Sequence, residues 1–181
     1  MTVSTRAARG LLTAVAALLL GLTACSSPAP PAVGTAGSAD PAAASPAALD
    51  FTAPTLDGAT LDVSTLAGTP VALWFWAPWC TICRAEAPDV AQVAAEFDGR
   101  VRLLGVPGRG EVDAMRAFVG DTGTGTITHV VDADGALWNR FGVVSQPAFV
   151  FVDGSGVTRS FAGSLGAEDL RAALDELAAG R

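Results

Sequence analysis

The sequence predicts an α/β protein whose central β-sheet mixes parallel and antiparallel strands. Strand-like and helix-like segments alternate in the first half of the region from residue 49 to residue 181, and two strand-like segments joined by a tight turn precede the last helix. Alternating strands and helices pair in parallel, whereas strands joined by a tight turn pair antiparallel. The run Val71–Trp76 is apolar at every position. Such a run is typical of a central strand covered on both faces.

The elements before the first helix are a hairpin and this strand. Phe51–Leu56 and Thr60–Val63 alternate apolar and polar residues on either side of Asp57 and Gly58, which favours a short β-hairpin before the main sheet. After the apolar strand, apolar residues recur at helical spacing until the chain reaches Asp98. These residues are Val90, Val93, Ala94 and Phe97. The pattern predicts a helix whose first turn follows Cys80.

The remaining elements are read from periodicity and turn residues. They are a strand at Val101–Val106, a helix at Glu111–Val119, a loop at Gly120–Gly125, a strand at Thr128–Val131, a turn at Asp132–Gly135 and a short helix at Leu137–Phe141. A strand at Ala148–Val152, a turn and a strand at Val157–Ala162 come next. The last helix begins with Glu168 and Asp169 and presents Leu170, Leu174 and Leu177 on one face.

The first 24 residues resemble a bacterial lipoprotein signal peptide that ends before Cys25. Arg6 and Arg9 precede the 12-residue stretch Leu11–Leu22, which is shorter than the roughly 20 apolar residues of a membrane-spanning helix. The resemblance implies cleavage before Cys25 and attachment of lipid to its thiol. Lipid at this position would hold the protein at the outer face of the cytoplasmic membrane.

Residues 25–48 are predicted to form a disordered tether, and residues 49–181 a single folded domain. The tether is rich in Ser, Pro, Ala and Gly, a composition that buries too little apolar surface to fold. Removal of residues 1–24 leaves 9 basic and 18 acidic residues, a net charge of −9. That charge argues against nucleic acid and anionic lipid surfaces as partners.

The spacing of Cys80 and Cys83 predicts thiol redox chemistry. The free amides at a helix N-terminus favour an anion, so Cys80 is the predicted nucleophile. Cys83, one turn later, could resolve a mixed disulfide. A structural disulfide and half of a zinc site are the alternatives. Zinc needs four ligands, and the mature chain adds only His129 and Cys25. His129 is read as a satisfied strand residue, not as a catalyst.

The segment from Phe75 to Pro88, which reads FWAPWCTICRAEAP, resembles the active-site segment of the thioredoxin-like superfamily. The glutamate and proline after the second cysteine are similar to those of the TlpA, ResA and DsbE branch, and the signal peptide adds a likeness to actinobacterial DsbE and DsbF lipoproteins. The resemblance covers residues 49–181. It implies a thioredoxin-like fold, in which helices flank a mixed central sheet after an N-terminal β-hairpin.

The resemblance also implies roles for residues outside the cysteine pair. Pro147 would follow a cis peptide bond, and the backbone of Gln146 would pair with an extended substrate. Trp79 would shape the surface that substrates meet. Glu86 would carry protons to and from the buried cysteine. Many thioredoxins have a buried aspartate six residues before the first cysteine, where this chain has Trp74. This departure leaves Glu86 as the candidate acid and base.

The function expected from these features is oxidation of cysteines in secreted or cell-envelope proteins by a lipid-anchored thiol:disulfide oxidoreductase. A membrane redox partner would regenerate the disulfide, and no cofactor beyond it is expected. A reductase of cytochrome c maturation is the main alternative. A copper-binding lipoprotein using Cys80, Cys83 and His129 is disfavoured by the cysteine spacing. A peroxidase is disfavoured because its nucleophile follows a Thr-x-x-Cys pattern, whereas Thr81 stands two positions before Cys83.

Overall fold

The structure is a computed structural model that describes residues 46–180 of the 181-residue chain. The predicted signal peptide, Cys25 and most of the predicted tether lie outside the described residues.

The strands and helices, in chain order, are β1 (Thr52–Pro54), β2 (Thr60–Asp62), β3 (Val71–Trp76), α1 (Thr81–Glu96), β4 (Arg102–Pro107), α2 (Val112–Thr122), β5 (Thr128–His129), α3 (Ala136–Arg140), β6 (Ala148–Val152), β7 (Thr158–Ala162) and α4 (Ala167–Ala178). Short 3-10 helices occur at Pro46–Leu49, Val63–Leu66 and Thr124–Thr126. None of the helices in residues 46–180 is long and apolar enough to cross a membrane.

The central sheet has five strands in the order β5-β4-β3-β6-β7. Strand β3 pairs in parallel with β4 and antiparallel with β6, and β7 pairs antiparallel with β6. A separate antiparallel hairpin of β1 and β2 precedes this sheet. The mixed sheet and the N-terminal hairpin that the sequence predicted are both confirmed.

Strand β3 is the buried centre of the fold. All six of its side chains have no exposed surface. Ala72, Trp74 and Trp76 pack into a core with apolar residues of α1 and α4, whereas alternate residues of the strand pack into a second core that contains Trp138 of α3. The prediction of a strand covered on both faces is therefore confirmed. So is the predicted apolar face of the last helix, which consists of Leu170, Leu174 and Leu177.

The structure differs from the predicted elements around Gly120–Gly125, which the sequence analysis assigned to a loop. Helix α2 continues through Gly120 to Thr122. It ends at Gly123, which adopts a left-handed conformation with φ of 73° and donates its N–H to the carbonyl of Val119. Glycine favours this conformation because it lacks a Cβ atom. The second glycine of the segment, not the first, therefore ends the helix.

Strand β5 is shorter than predicted. Only Thr128 and His129 pair with β4 as a ladder. Val130 instead forms an isolated antiparallel bridge with Thr55 beside the N-terminal hairpin. The apolar side chains of Val130 and Val131 are buried, which explains why the periodicity continued through them. The backbone N–H of Val130 still donates to the carbonyl oxygen of Gly105 in β4, whereas that of Val131 donates to the carbonyl oxygen of Pro54 in β1.

Candidate active site

Cys80 and Cys83 lie at the N-terminus of α1 and are joined by a disulfide. Cys80 is the N-cap residue, and its Sγ accepts a hydrogen bond of 3.0 Å from the backbone N–H of Cys83. Cys80 is 6% exposed and Cys83 is fully buried. An incoming thiol therefore meets the sulfur of Cys80. When the bond is reduced, the same N–H and the helix N-terminus favour a thiolate at Cys80.

Glu86 lies in the protein interior, on the same buried face of α1 as Cys83. The residue is 4% exposed, so it is not a solvated carboxylate. The indole N–H of Trp74 donates a hydrogen bond of 2.8 Å to Oε1 of Glu86. Oε2 is buried and has no hydrogen-bond partner among the described residues. Residues three apart on a helix are neighbours, so Glu86 lies beside Cys83.

Burial raises the pKa of Glu86 above its ordinary value of 4.5, because the ionised form loses its hydration. The nearby Ser164 side chain, the Trp74 indole and the Leu165 backbone act in the opposite direction and favour the carboxylate. Neither Ser164 nor Leu165 forms a hydrogen bond of normal geometry to Oε2. Desolvation is thus the larger effect, and Glu86 can hold a proton at a higher pH than an exposed glutamate does.

His129 is buried in a satisfied setting at the end of β5. Its Nδ1 accepts a hydrogen bond of 3.3 Å from the indole N–H of Trp76, and its Nε2 lies 3.1 Å from the carbonyl oxygen of Thr124. These partners require a neutral ring with the proton on Nε2. Burial lowers the pKa of His129 to about 4. Within residues 46–180, no group of three His, Cys, Asp or Glu side chains could hold a metal ion. The arrangement therefore gives the copper alternative no support.

The loop before β6 lies beside the cysteine pair. Ala148, the first residue of β6, is opposite Phe75 near the end of β3, and α1 follows that end after a short turn. The Gln146–Pro147 peptide bond is cis, the isomer that the resemblance implies. Three large apolar side chains in these segments are exposed. They are Trp79 (59%), Ile82 (58%) and Val144 (83%).

Arg109 is a residue of this region that the sequence analysis missed. Its carbonyl oxygen accepts a hydrogen bond of 2.7 Å from the indole N–H of Trp79. Its guanidinium donates to the side chain of Gln146 at 3.1 Å and to the carbonyl oxygen of Val144 at 3.0 Å. The sequence signal was the Gly-Arg-Gly triplet at residues 108–110, one residue after the predicted strand Val101–Val106. Arg109 thus connects two segments that the sequence analysis had treated separately.

The fold and the oxidised cysteine pair define a thioredoxin-like protein with a Cys-x-x-Cys disulfide. Residues 45–161 match the model of the AhpC/TSA family, and the chain belongs to that family. Its relatives include the soluble secreted antigen MPT53 of Mycobacterium tuberculosis, which is 46% identical over 110 residues. That match covers 61% of this chain and 62% of MPT53. The thiol:disulfide interchange protein DsbE of Escherichia coli is 30% identical over 92 residues, which cover 51% of this chain and 48% of DsbE.

Two solved structures are similar over most of their own length. The structure of MTB dsbF in mixed oxidized and reduced forms has a TM-score of 0.70 and 43% identity, and the match covers 72% of this chain and 97% of dsbF. A secreted Mycobacterium tuberculosis disulfide oxidoreductase homologous to E. coli DsbE has a TM-score of 0.68 and 40% identity, with coverage of 72% and 98%. The expected thioredoxin-like fold and the expected likeness to DsbE and DsbF proteins are confirmed.

The buried His129 predicts a loss of stability in acid. Its pKa falls from 6.5 to about 4 on folding, so between these values the unfolded chain binds a proton that the folded protein does not. Its contribution is fully present above pH 6.5 and is lost as the pH falls toward 4. The free energy of unfolding should fall by about 1.4 kcal/mol per pH unit within this window. Urea unfolding across this window should show the slope in the difference between wild type and His129→Gln.

Glu86 changes the free energy of unfolding with pH in the opposite sense to His129. Because its pKa is raised in the folded protein, its contribution to stability declines as the pH rises above 4.5. Since Glu86 is present in both proteins, its effect cancels in the difference between them. Equal slopes in wild type and His129→Gln would contradict the assignment of a buried neutral histidine.

The Trp74–Glu86 hydrogen bond predicts a directional effect of Trp74→Phe. Removal of the indole donor should raise the pKa of Glu86 further, because the ionised carboxylate loses a hydrogen bond and stays buried. The measurement is the carboxyl carbon shift of Glu86 against pH, assigned with Glu86→Gln. Trp76→Phe is the matched control, since it alters the same core but removes a donor to His129. An equal or lower Glu86 pKa in Trp74→Phe would refute the assigned contact.

Proposed function

We propose that this protein is an extracytoplasmic thiol:disulfide oxidoreductase that oxidises cysteines of secreted or cell-envelope proteins. The observation that carries the proposal is the arrangement of the cysteine pair, with Cys80 at the helix N-terminus and Cys83 buried behind it. The names of the relatives support it, since they include a thiol:disulfide interchange protein and a secreted disulfide oxidoreductase. The redox group is the Cys80–Cys83 disulfide, and the reaction needs no other cofactor.

The first step is attack on Cys80, because its sulfur is the more accessible of the two. A substrate thiolate attacks Sγ of Cys80, the bond between Cys80 and Cys83 breaks, and Cys83 leaves as a thiolate. A buried thiolate is unfavourable, so it takes a proton. Glu86 is placed to supply it through Oε2, the oxygen that Trp74 does not engage.

The second step releases the oxidised substrate. A second substrate thiolate attacks the substrate sulfur of the mixed disulfide, and Cys80 leaves as a thiolate that the helix N-terminus stabilises. Two electrons have then moved from the substrate cysteines to Cys80 and Cys83. A membrane redox partner accepts these electrons and restores the disulfide.

The substrate lies across the cis-proline loop in this proposal. The backbone of Gln146 pairs with an extended substrate segment, in the manner of added β-strands. The exposed side chains of Trp79, Ile82 and Val144 supply an apolar surface at which unfolded polypeptide can bind. An unfolded substrate exposes both the backbone groups and the apolar side chains that this surface requires.

The proposed location is the outer face of the cytoplasmic membrane, held there by lipid on Cys25. The sequence of residues 1–25 and the secreted character of a named relative support this location. Mass spectrometry of the mature protein should find acyl chains on Cys25 and no residues before it. An unmodified Cys25 with residues 1–24 retained would contradict the proposed anchor.

The proposed oxidation predicts a difference between two cysteine variants. Wild type should form disulfides in a reduced, unfolded test protein faster than glutathione alone does. Cys80→Ser should lose this activity, since the remaining sulfur, that of Cys83, is fully buried and has no partner for a disulfide. In Cys83→Ser, attack by Cys80 on a substrate disulfide should stop at a mixed disulfide, which non-reducing electrophoresis detects. A wild-type rate no faster than glutathione would contradict the oxidase function.

A reductase is the competing function, because the named relatives include DsbE and the same disulfide exchange runs in either direction. The reduction potential of Cys80–Cys83 separates the two functions. Reference potentials of about −120 mV for a strong oxidant and about −270 mV for thioredoxin differ by about 7 kcal/mol. Equilibration with glutathione buffers, followed by tryptophan fluorescence, should give a potential near the oxidising value. A potential near that of thioredoxin would favour the reductase.

A further inference from the structure

Arg109 contacts both segments that border the active-site disulfide. Its carbonyl oxygen accepts the indole N–H of Trp79, the residue before Cys80. Its two terminal guanidinium nitrogens donate to the side chain of Gln146 and to the carbonyl oxygen of Val144. One residue therefore fixes the tryptophan on one side of the disulfide and the cis-proline loop on the other.

The backbone of Arg109 is held in a conformation that residues with side chains rarely adopt. Its φ is 56°, in the left-handed region. The flanking glycines allow close approach to neighbouring side chains. A Cβ atom at Gly108 would lie 2.6 Å from Nε1 of Trp138, and one at Gly110 would lie 2.5 Å from Cγ of Pro78. Such conformations persist only where the surroundings determine them, and they cluster at functional sites.

The guanidinium of Arg109 also contacts the ring of Trp138. It stacks over the ring of Trp138 at 4.4 Å from the centroid. Trp138 is 3% exposed and donates its indole N–H to the carbonyl oxygen of Val106 in β4. The ring supports the guanidinium at the position from which its two nitrogens donate to the loop before Pro147. The arginine therefore bridges from the rigid end of β4 to an exposed loop.

We propose that Arg109 is a positioning residue that sets the spacing between Trp79 and the cis-proline loop, so that polypeptide substrates are aligned across Cys80. The proposal rests on the proposed thiol:disulfide exchange. A polypeptide must contact both sides of the disulfide to bring its cysteine to Cys80. A small thiol needs only to reach Sγ of Cys80. Arg109 should therefore matter for polypeptide thiols and not for small ones.

The test compares Arg109→Met with wild type on two substrates, a reduced unfolded protein and dithiothreitol. Methionine keeps the unbranched apolar stem of the side chain but removes the guanidinium, and with it both donors to the loop and the contact over the Trp138 ring. The kcat/KM for the protein substrate should fall about tenfold, because substrate binding must then order the loop, and a tenfold change corresponds to about 1.4 kcal/mol. The rate with dithiothreitol and the reduction potential should stay at their wild-type values. The melting temperature should stay well above the assay temperature, so that the variant is folded throughout the measurement.

Two further variants sharpen the comparison. Arg109→Lys keeps the charge but lacks the planar fork that serves both acceptors, so it should lose most of the same activity. Arg100→Met is the matched control, because Arg100 also stacks over an aromatic ring, Phe97 at 4.1 Å, and bonds to Asp175 at the surface. The Arg100→Met variant should have wild-type rates with both the protein substrate and dithiothreitol.

Several outcomes would overturn the proposal. An equal loss on both substrates, or a lower melting temperature that accounts for the loss, would make Arg109 a structural residue only. Full activity of Arg109→Met on the protein substrate would also refute it. The wild-type rate reports on the proposed function separately. If wild type reduces protein disulfides instead of forming them, the kcat/KM of Arg109→Met is compared with that of wild type for the reduction. Equal values for the two proteins would refute the proposal in that direction too.

Discussion

The burial of β3 on both faces is the constraint on which the site depends. A strand with no exposed side chain needs neighbours on both edges and cores on both sides, and its register with them fixes what meets at its end. Phe75 lies opposite Ala148 of β6, and Trp76 lies opposite Pro107 of β4. The cis-proline loop therefore ends, and the Arg109 loop starts, beside the turn that leads to Cys80. The disulfide, its partner loops and α1 are positioned by one strand.

Strand β3 also carries two tryptophans whose indole N–H groups donate hydrogen bonds to ionisable side chains buried in the core. Trp74 donates to Glu86 and Trp76 donates to His129. Burial disfavours the charged form of each group, so it raises the pKa of the acid and lowers that of the histidine. The histidine has both ring nitrogens engaged, whereas Oε2 of Glu86 has no partner among residues 46–180. His129 is therefore a structural polar group, whereas Oε2 of Glu86 is available to exchange a proton.

Local pattern predicted most of the fold and part of the site. The strand at Val71–Trp76, the helix after Cys80 and the N-terminal hairpin follow from periodicity and turn residues, which act over short distances. Arg109 could not be found in this way, because its partners Val144 and Gln146 are more than 30 residues away and its role depends on how two loops meet. The Trp74–Glu86 contact was missed because it depends on how β3 packs against α1. Sequence showed only that the aspartate of many thioredoxins is replaced.

In the proposed exchange, Cys80 is the sulfur that reacts with the substrate, and Cys83 is protected behind it. The most direct test is to reduce the protein, expose it briefly to iodoacetamide at neutral pH and locate the label by peptide mass spectrometry. We expect Cys80 to be alkylated first and Cys83 to stay unlabelled until the protein unfolds, because Cys80 keeps 6% of its surface exposed and Cys83 keeps none. Labelling of Cys83 at the same rate as Cys80, or before it, would contradict the account.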